Sequence, residues 1–206
     1  PFVACEWIRE TSPKLRHYLL SGNFDTEKRT SAVNLLKNRG RRVTAEVTIP
    51  RQVMQEQLRV TPEAMHYGQG VTTLASFLTH SSSNAAHPAN GLAALYLATG
   101  QDIANIGESN QCTTYNRVTR DGDYFFSVTL PALIVASYGG GTNLPTQREC
   151  LRIMDCHGQG KALKLAEIAA GLVVAGELSL AAATRVDKVT RQNEWVDAHE
   201  RLGRNR

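Results

Sequence analysis

Lys28 and Asp102 are the two side chains of this 206-residue chain whose setting most suggests chemistry. Lys28 lies in Ser21-Gly22-Asn23-Phe24-Asp25-Thr26-Glu27-Lys28-Arg29, and Asp102 closes Gly100-Gln101-Asp102. A lysine beside a carboxylate in a closed site can polarise a carbonyl and stabilise an oxyanion. Two further segments could complete such a site. Gly139-Gly140-Gly141-Thr142 offers backbone that a ligand can approach closely. Gly176-Glu177-Leu178-Ser179-Leu180 reads as the packed part of a helix with Glu177 hydrogen-bonded inside. His199 adds an imidazole able to donate a proton near neutral pH. Taken singly, each has an ordinary reading: Lys28 as a solvated loop charge, Asp102 as a post-helix residue, the glycines as a turn, His199 as a surface histidine.

The elements that must position these groups follow from periodicity and punctuation. Residues 2 to 9 read as the end of a helix, 15 to 20 as a short strand, and 21 to 30 as a loop. Thr30 can cap a helix to Asn38 that Gly40 stops. Val43, Ala45, Val47 and Ile49 alternate with polar residues, as in a half-buried strand. Pro50 suits the first turn of a helix to Arg59, and Thr61 caps the next one. A break at Ser81 to Asn84 precedes a helix from His87 to Thr99 that Gly100 ends, so Asp102 falls past a helix C-terminus and gains nothing from its macrodipole. Cys112 to Val118 and Tyr124 to Thr129 flank the hairpin signal Asp121-Gly122, with Leu133 to Ala136 as a separate apolar piece. Thr146 to Met154 is a short helix, Ala162 to Ala183 a long one apolar on most faces and so buried, and Val186 to His199 an amphipathic stretch.

Composition narrows the class. With 42% hydrophobic residues the chain is globular, and its length suffices for one medium domain or part of a larger one. The net charge of +4 gathers at Lys37 to Arg42 and Arg201 to Arg206, either as solvated helix ends or as partners of a phosphate-rich ligand. Nucleic acid is disfavoured, because the aromatics are few and not interleaved with the basic runs. Cys5, Cys112, Cys150 and Cys156 show no metal-binding spacing and read as reduced thiols of an intracellular protein. No signal peptide is evident, and the longest apolar run, Ile168 to Ala183, is short for a bilayer and carries Glu177. The sequence opens on Pro1 rather than Met, which reads as a fragment or a processed chain.

In this order the four segments resemble the catalytic domain of the 3-hydroxy-3-methylglutaryl-coenzyme A reductases, and most resemble its eukaryotic-type class. The resemblance covers residues 15 to 206 but only the later half of that domain. It implies an α+β fold: a helix-rich large catalytic domain over residues 31–206, a connecting catalytic loop over 21–30, and over 1–20 the last elements of an inserted ferredoxin-like small cofactor-binding domain. The activity implied is the NADPH-dependent four-electron reduction of 3-hydroxy-3-methylglutaryl-coenzyme A to mevalonate, with no metal. The implied assembly is a homodimer or homotetramer with sites shared between subunits. The implied place is the cytoplasmic side, tethered to the endoplasmic reticulum membrane where an anchor exists outside this sequence.

Residue by residue, the resemblance makes Lys28 the stabiliser of the thioester and hemithioacetal oxygen and Asp102 the central carboxylate. His199 becomes the acid that protonates the departing thiolate. Ser21, Asn23 and Arg29 would hold the acyl carboxylate, although the family usually has Lys-Lys where this chain has Lys28-Arg29. His87 and Asn90, in His87-Pro88-Ala89-Asn90, match a His-Ala-Ala-Asn segment that contacts substrate. Arg59 would meet coenzyme A phosphates, and Gly139, Gly140 and Gly141 would lie against the acyl group or the nicotinamide. The family's Glu-Asn-Val-Ile-Gly and Asp-Ala-Met-Gly-Met-Asn segments are absent, so this chain alone is expected to be inactive. Phe77 and Leu78 are bulkier than the Gly/Ala stretch usual there, and the interval before His199 is longer than usual. The alternative implied by these departures is a non-catalytic relative that binds coenzyme A esters or pairs with a complete subunit.

Overall fold

A computed structural model describes residues 2–12, 14, 15, 26–37 and 39–184. The expected strand over 15–20, Ser21, Asn23, the amphipathic stretch 186–199 and His199 lie outside the described residues, apart from Leu15. The rest is a mixed helical and antiparallel structure, in keeping with the α+β class. Its sheet has three strands: β1 (Arg41–Ile49), β2 (Thr113–Val118) and β3 (Tyr124–Leu133), in the order β1-β3-β2 with both pairings antiparallel. The alternation read in β1 holds, and the tight connection between β2 and β3 turns at Gly122, whose φ is 84°.

β3 is longer than its sequence suggested. It runs unbroken through Pro131 and takes in the first residue of the apolar piece read as separate. The ladder explains how. Val43 faces Leu130 while Arg41 faces Leu133, so β3 carries an extra residue there. Such a bulge absorbs the missing N–H of a proline within a strand. Leu130, Pro131, Ala132 and Leu133 are all buried, because helices cover this end of the strand.

The helices are α1 (Phe2–Thr11), α2 (Ala32–Lys37), α3 (Arg51–Val53), α4 (Pro62–Leu78), α5 (Pro88–Thr99), α6 (Ile106–Ser109), α7 (Pro145–Ile153) and α8 (Ala162–Thr184). Between β1 and α4 the chain makes a π-helical turn (Met54–Leu58) after α3. Thr61 caps α4 as expected, accepting from Ala64 N–H. The cap of α2 is Ser31 rather than Thr30: its hydroxyl accepts from Asn34 N–H at 3.2 Å, while Thr30 donates elsewhere.

α8 packs on β1 and β3 with α5 on its flank, and its buried Leu165, Ala169, Ala170 and Val173 meet a core that includes Leu92, Tyr96, Val128 and Leu130. At 23 residues it matches the long helix read in the sequence to within one residue, and by length and composition it is long and apolar enough to cross a membrane. Here it serves as the central core helix, and its alanines let α5 and the sheet come close.

One backbone contact ties the end of α5 to the loop after β3. Gly100 takes φ 69° at the helix end, and a Cβ there would overlap the Gly141 carbonyl; a Cβ on Gly141 would stand 2.5 Å from the Gly100 oxygen. Gly100→Ala should therefore lower stability by at least about 2 kcal/mol in urea unfolding. Gly70→Ala, inside α4 with open space around the new Cβ, should instead raise it by about 0.5–1 kcal/mol.

Candidate functional site

Three of the four segments meet at one end of α5. The helix stops at Gly100, and Gln101 then seals the turn to the strand side. Its Nε2 donates to Ala136 O at 2.8 Å, and its Oε1 accepts from Ala136 N–H at 2.7 Å. Both backbone polar groups of Ala136 are thereby satisfied by one side-chain amide, and the residue after Gln101, Asp102, is about half exposed.

Asp102 is better placed than the sequence suggested. It follows α5 but also caps the 3-10 turn Ile103–Asn105 that comes next, and its Oδ1 accepts from Ala104 N–H at 3.1 Å. The free N–H groups of a starting turn favour a carboxylate. Its other oxygen, Oδ2, accepts from Lys28 Nζ at 2.8 Å. Both side chains are about half exposed. The hydrogen bond to Lys28, helped by the Ala104 N–H, holds the Asp102 carboxyl below the usual range, and the same bond raises the Lys28 ammonium above its own.

The lysine arrives through a loop wound around two buried polar side chains that the sequence reading did not single out. Asn34 accepts from the Thr26 hydroxyl at 2.7 Å and donates from Nδ2 to Arg29 O at 3.0 Å and Thr26 O at 3.3 Å. Glu108, with no exposed surface, accepts from Lys28 N–H, Asn34 Nδ2 and Arg39 Nε at 3.3, 3.3 and 3.2 Å. Thr26 and Lys28 both take positive φ, 55° and 62°. The loop is seated on α6: Thr30 donates to Gly107 O at 2.7 Å, and a Cβ on Gly107 would stand 2.6 Å from Lys28 O. Little in the sequence could reveal Glu108, since the residues it binds lie 69 to 80 positions away. The nearest hint was Asn34, a polar residue within a short apolar helix.

The basic run after α2 also reads differently in three dimensions. Arg39 pairs with Glu108 and approaches Glu27 at 3.6 Å, Arg41 donates to Val135 O, and Arg42 to Leu35 O. These guanidinium groups each contact the chain itself, which the sequence did not reveal, and the second basic run, 201–206, lies outside the described residues.

Gly139 and Gly140 follow, with φ of 85° and 53° and open space where a Cβ would stand. Thr142 closes the turn by donating to Gly139 O at 2.7 Å. Through the Gly100–Gly141 contact, this open backbone adjoins the Asp102 turn.

His87 and Asn90 are placed elsewhere, in the first turn of α5. The helix has 12 residues and is about 18 Å long, so they stand at its opposite end from Asp102. Glu177, buried as expected, accepts from Ala86 N–H at 2.6 Å and from His87 N–H. The His87 ring lies against Gly91 and Gly176, where any Cβ on Gly176 would overlap it. Asn90 is exposed. Arg29 is exposed beside Lys28, and Arg59 is exposed where the π-helical turn ends, with φ 54°.

The ion pair fixes a pH response. Asp102 is depressed, so its contribution to stability is present above its unfolded pKa and is lost as pH falls through the folded value. Lys28 is raised, so its contribution is present below its unfolded pKa and is lost as pH rises through the folded value. An NMR titration of the Asp102 carboxyl should give a midpoint below that of an ordinary aspartate, moving upward in Lys28→Ala. An unmoved midpoint would show that the pair does not form in solution.

A family model described as hydroxymethylglutaryl-coenzyme A reductase matches residues 2–204. The 3-hydroxy-3-methylglutaryl-coenzyme A reductase of Pyrococcus horikoshii is 41% identical over 205 residues, which cover 96% of this chain and 48% of that protein. That of Methanothermobacter thermautotrophicus is 42% identical over 186 residues, 90% of this chain and 45% of the relative. That of Methanocaldococcus jannaschii is 38% identical over 209 residues, 98% and 49%. The chain thus spans about half the length of the curated relatives it matches. On the extent of the family match and these identities, joined to the convergence of the lysine, aspartate and triple-glycine segments, the chain belongs to the hydroxymethylglutaryl-coenzyme A reductase family.

Proposed function

We propose that the protein serves the NADPH-dependent reduction of 3-hydroxy-3-methylglutaryl-coenzyme A to mevalonate, with Lys28 and Asp102 at the reacting centre. The observation that carries this reading is the 2.8 Å contact of Lys28 Nζ with Asp102 Oδ2, made by two distant segments beside the open glycine turn. Reducing a thioester to an alcohol takes two hydrides and two protons and releases coenzyme A as its thiol. When bound, the nicotinamide supplies the hydrides. Gly139 and Gly140 suit a flat ring, because their backbone is bare of side chains and adjoins the Asp102 turn.

The electrostatics of the pair support a defined role for each partner. Asp102 raises the Lys28 pKa, so the lysine stays an ammonium and works as a hydrogen-bond donor rather than as a base. A fixed ammonium facing the carbonyl oxygen stabilises the negative charge that develops there when the carbon becomes tetrahedral. Asp102, kept ionised, holds that ammonium in place through both reductions. In this reading Ser21, Asn23 and Arg29 hold the acyl carboxylate, Arg59 meets coenzyme A, and His199 protonates the thiolate so that it leaves as thiol.

α5 argues for an assembly. It keeps His87 and Asn90 about a helix length from Lys28 and Asp102. If both sets serve one centre, they come from two copies of the chain. α4 offers a surface for such pairing: Tyr67, Val71, Leu74 and Leu78 recur at helical spacing on one face and are all more than half exposed.

In the full-length protein, Lys28→Ala should lower kcat by about 10²–10³-fold, followed by NADPH oxidation with the acyl-coenzyme A substrate. The exposed lysine can be removed without unfolding the chain, so unchanged turnover would refute its assignment. Leu74→Asp should shift the assembly toward monomer in sedimentation and depress turnover with it.

A further inference from the structure

We infer that Glu108 is the positioning residue of Lys28: a buried carboxylate that holds the lysine's backbone so that its ammonium is presented to Asp102. The inference rests on the placement of Lys28 at the reacting centre. Its starting point is that the ion pair cannot organise the loop unaided. Lys28 and Asp102 are 43% and 49% exposed, and an ion pair so open to water contributes little fixed geometry. Yet Lys28 and Thr26 both hold left-handed backbone conformations, which a lysine or a threonine keeps only where the surroundings over-determine it. The determinants converge on α6. Glu108 Oε1 takes the Lys28 N–H, and Oε2 takes Arg39 Nε and Asn34 Nδ2. Asn34 in turn gathers Thr26 and Arg29, and Gly107 leaves room for the Lys28 carbonyl.

Lys28 is therefore gripped at both ends by carboxylates of one short stretch. The exposed one, Asp102, meets the ammonium; the buried one, Glu108, meets the peptide N–H. Arg39 neutralises Glu108, so the buried carboxylate anchors the loop without adding an unpaired charge beside the reacting centre. Glu108 touches no reacting atom in this scheme and acts through Lys28.

The test uses the full-length protein and two variants. Glu108→Gln removes the charge but leaves Arg39 without its partner. Arg39→Gln combined with Glu108→Gln removes both charges together, a replacement the fold can tolerate. Hydrogen exchange of the peptide covering residues 26–30 is compared with that of β3 and α8. In the double variant, exchange over 26–30 should quicken about tenfold while β3 and α8 stay protected, and kcat should fall about tenfold with KM for the acyl thioester within about twofold. Unchanged exchange over 26–30 would overturn the inference. So would faster exchange with unchanged kcat, or a loss of protection spread through β3 and α8, which marks a structural role alone. A full-length parent with no reductase turnover would refute the proposed function instead, and the exchange comparison would still decide whether Glu108 holds the lysine.

Discussion

A carboxylate with no exposed surface has to be surrounded before the chain can close over it. Burying an isolated charge costs several kcal/mol, on the order of what a whole domain has to spare. Glu108 is in that position, and the groups that meet it come from one stretch, residues 28 to 39. That stretch has little structure of its own to offer. α2 is six residues long, too short to persist without outside contacts. Its Asn34 and the neighbouring Arg39 and Lys28 are ordered because the carboxylate demands N–H donors. The loop folds around Glu108 as a consequence of satisfying it.

The same logic explains why short, irregular elements sit at the site rather than long helices. Between Asp102 and Glu108 the chain makes a 3-10 turn and then one turn of α-helix. Each begins with N–H groups that need acceptors, and Asp102 provides one from its own side chain. The turn is compact enough to present one carboxylate to solvent and the next to the interior. The Gly100–Gly141 approach then sets this pair of carboxylates against the open glycine turn, with backbone touching backbone and no side chain to blur the distance.

Much of the frame was legible in the sequence because it depends on neighbours a few positions apart. Alternation marked β1, Thr61 marked the start of α4, Gly100 the end of α5, and Asp121-Gly122 the hairpin. The misreadings share a different cause. The third strand looked to end at Thr129, because only the partner strand reveals the bulge that accommodates Pro131. Asp102 looked unsupported by its backbone, because the helix behind it was visible in the sequence and the turn ahead, which it caps, was not. Arg39 looked like solvated charge or a partner for phosphate, because its buried carboxylate partner lies 69 residues away. Local signals give elements; the pairing of buried polar groups is decided only once those elements have packed. Lys28 and Asp102 were visible as candidates, whereas Glu108 and Asn34, which place the loop, were not.

α5 sets the remaining constraint. Its N-terminal end is pinned where Glu177 takes the Ala86 and His87 N–H groups, and where the imidazole wedges against Gly176 of α8. Its C-terminal end is pinned by the Gly100–Gly141 contact and by the grip of Gln101 on Ala136. Between them Leu92, Leu95 and Tyr96 are buried, so the helix cannot slide or shorten without opening the core. A rod pinned at both ends works as a spacer. Within one chain it holds Asn90 and Asp102 apart by a distance that side-chain motion cannot span, and no rearrangement short of unwinding α5 brings them together.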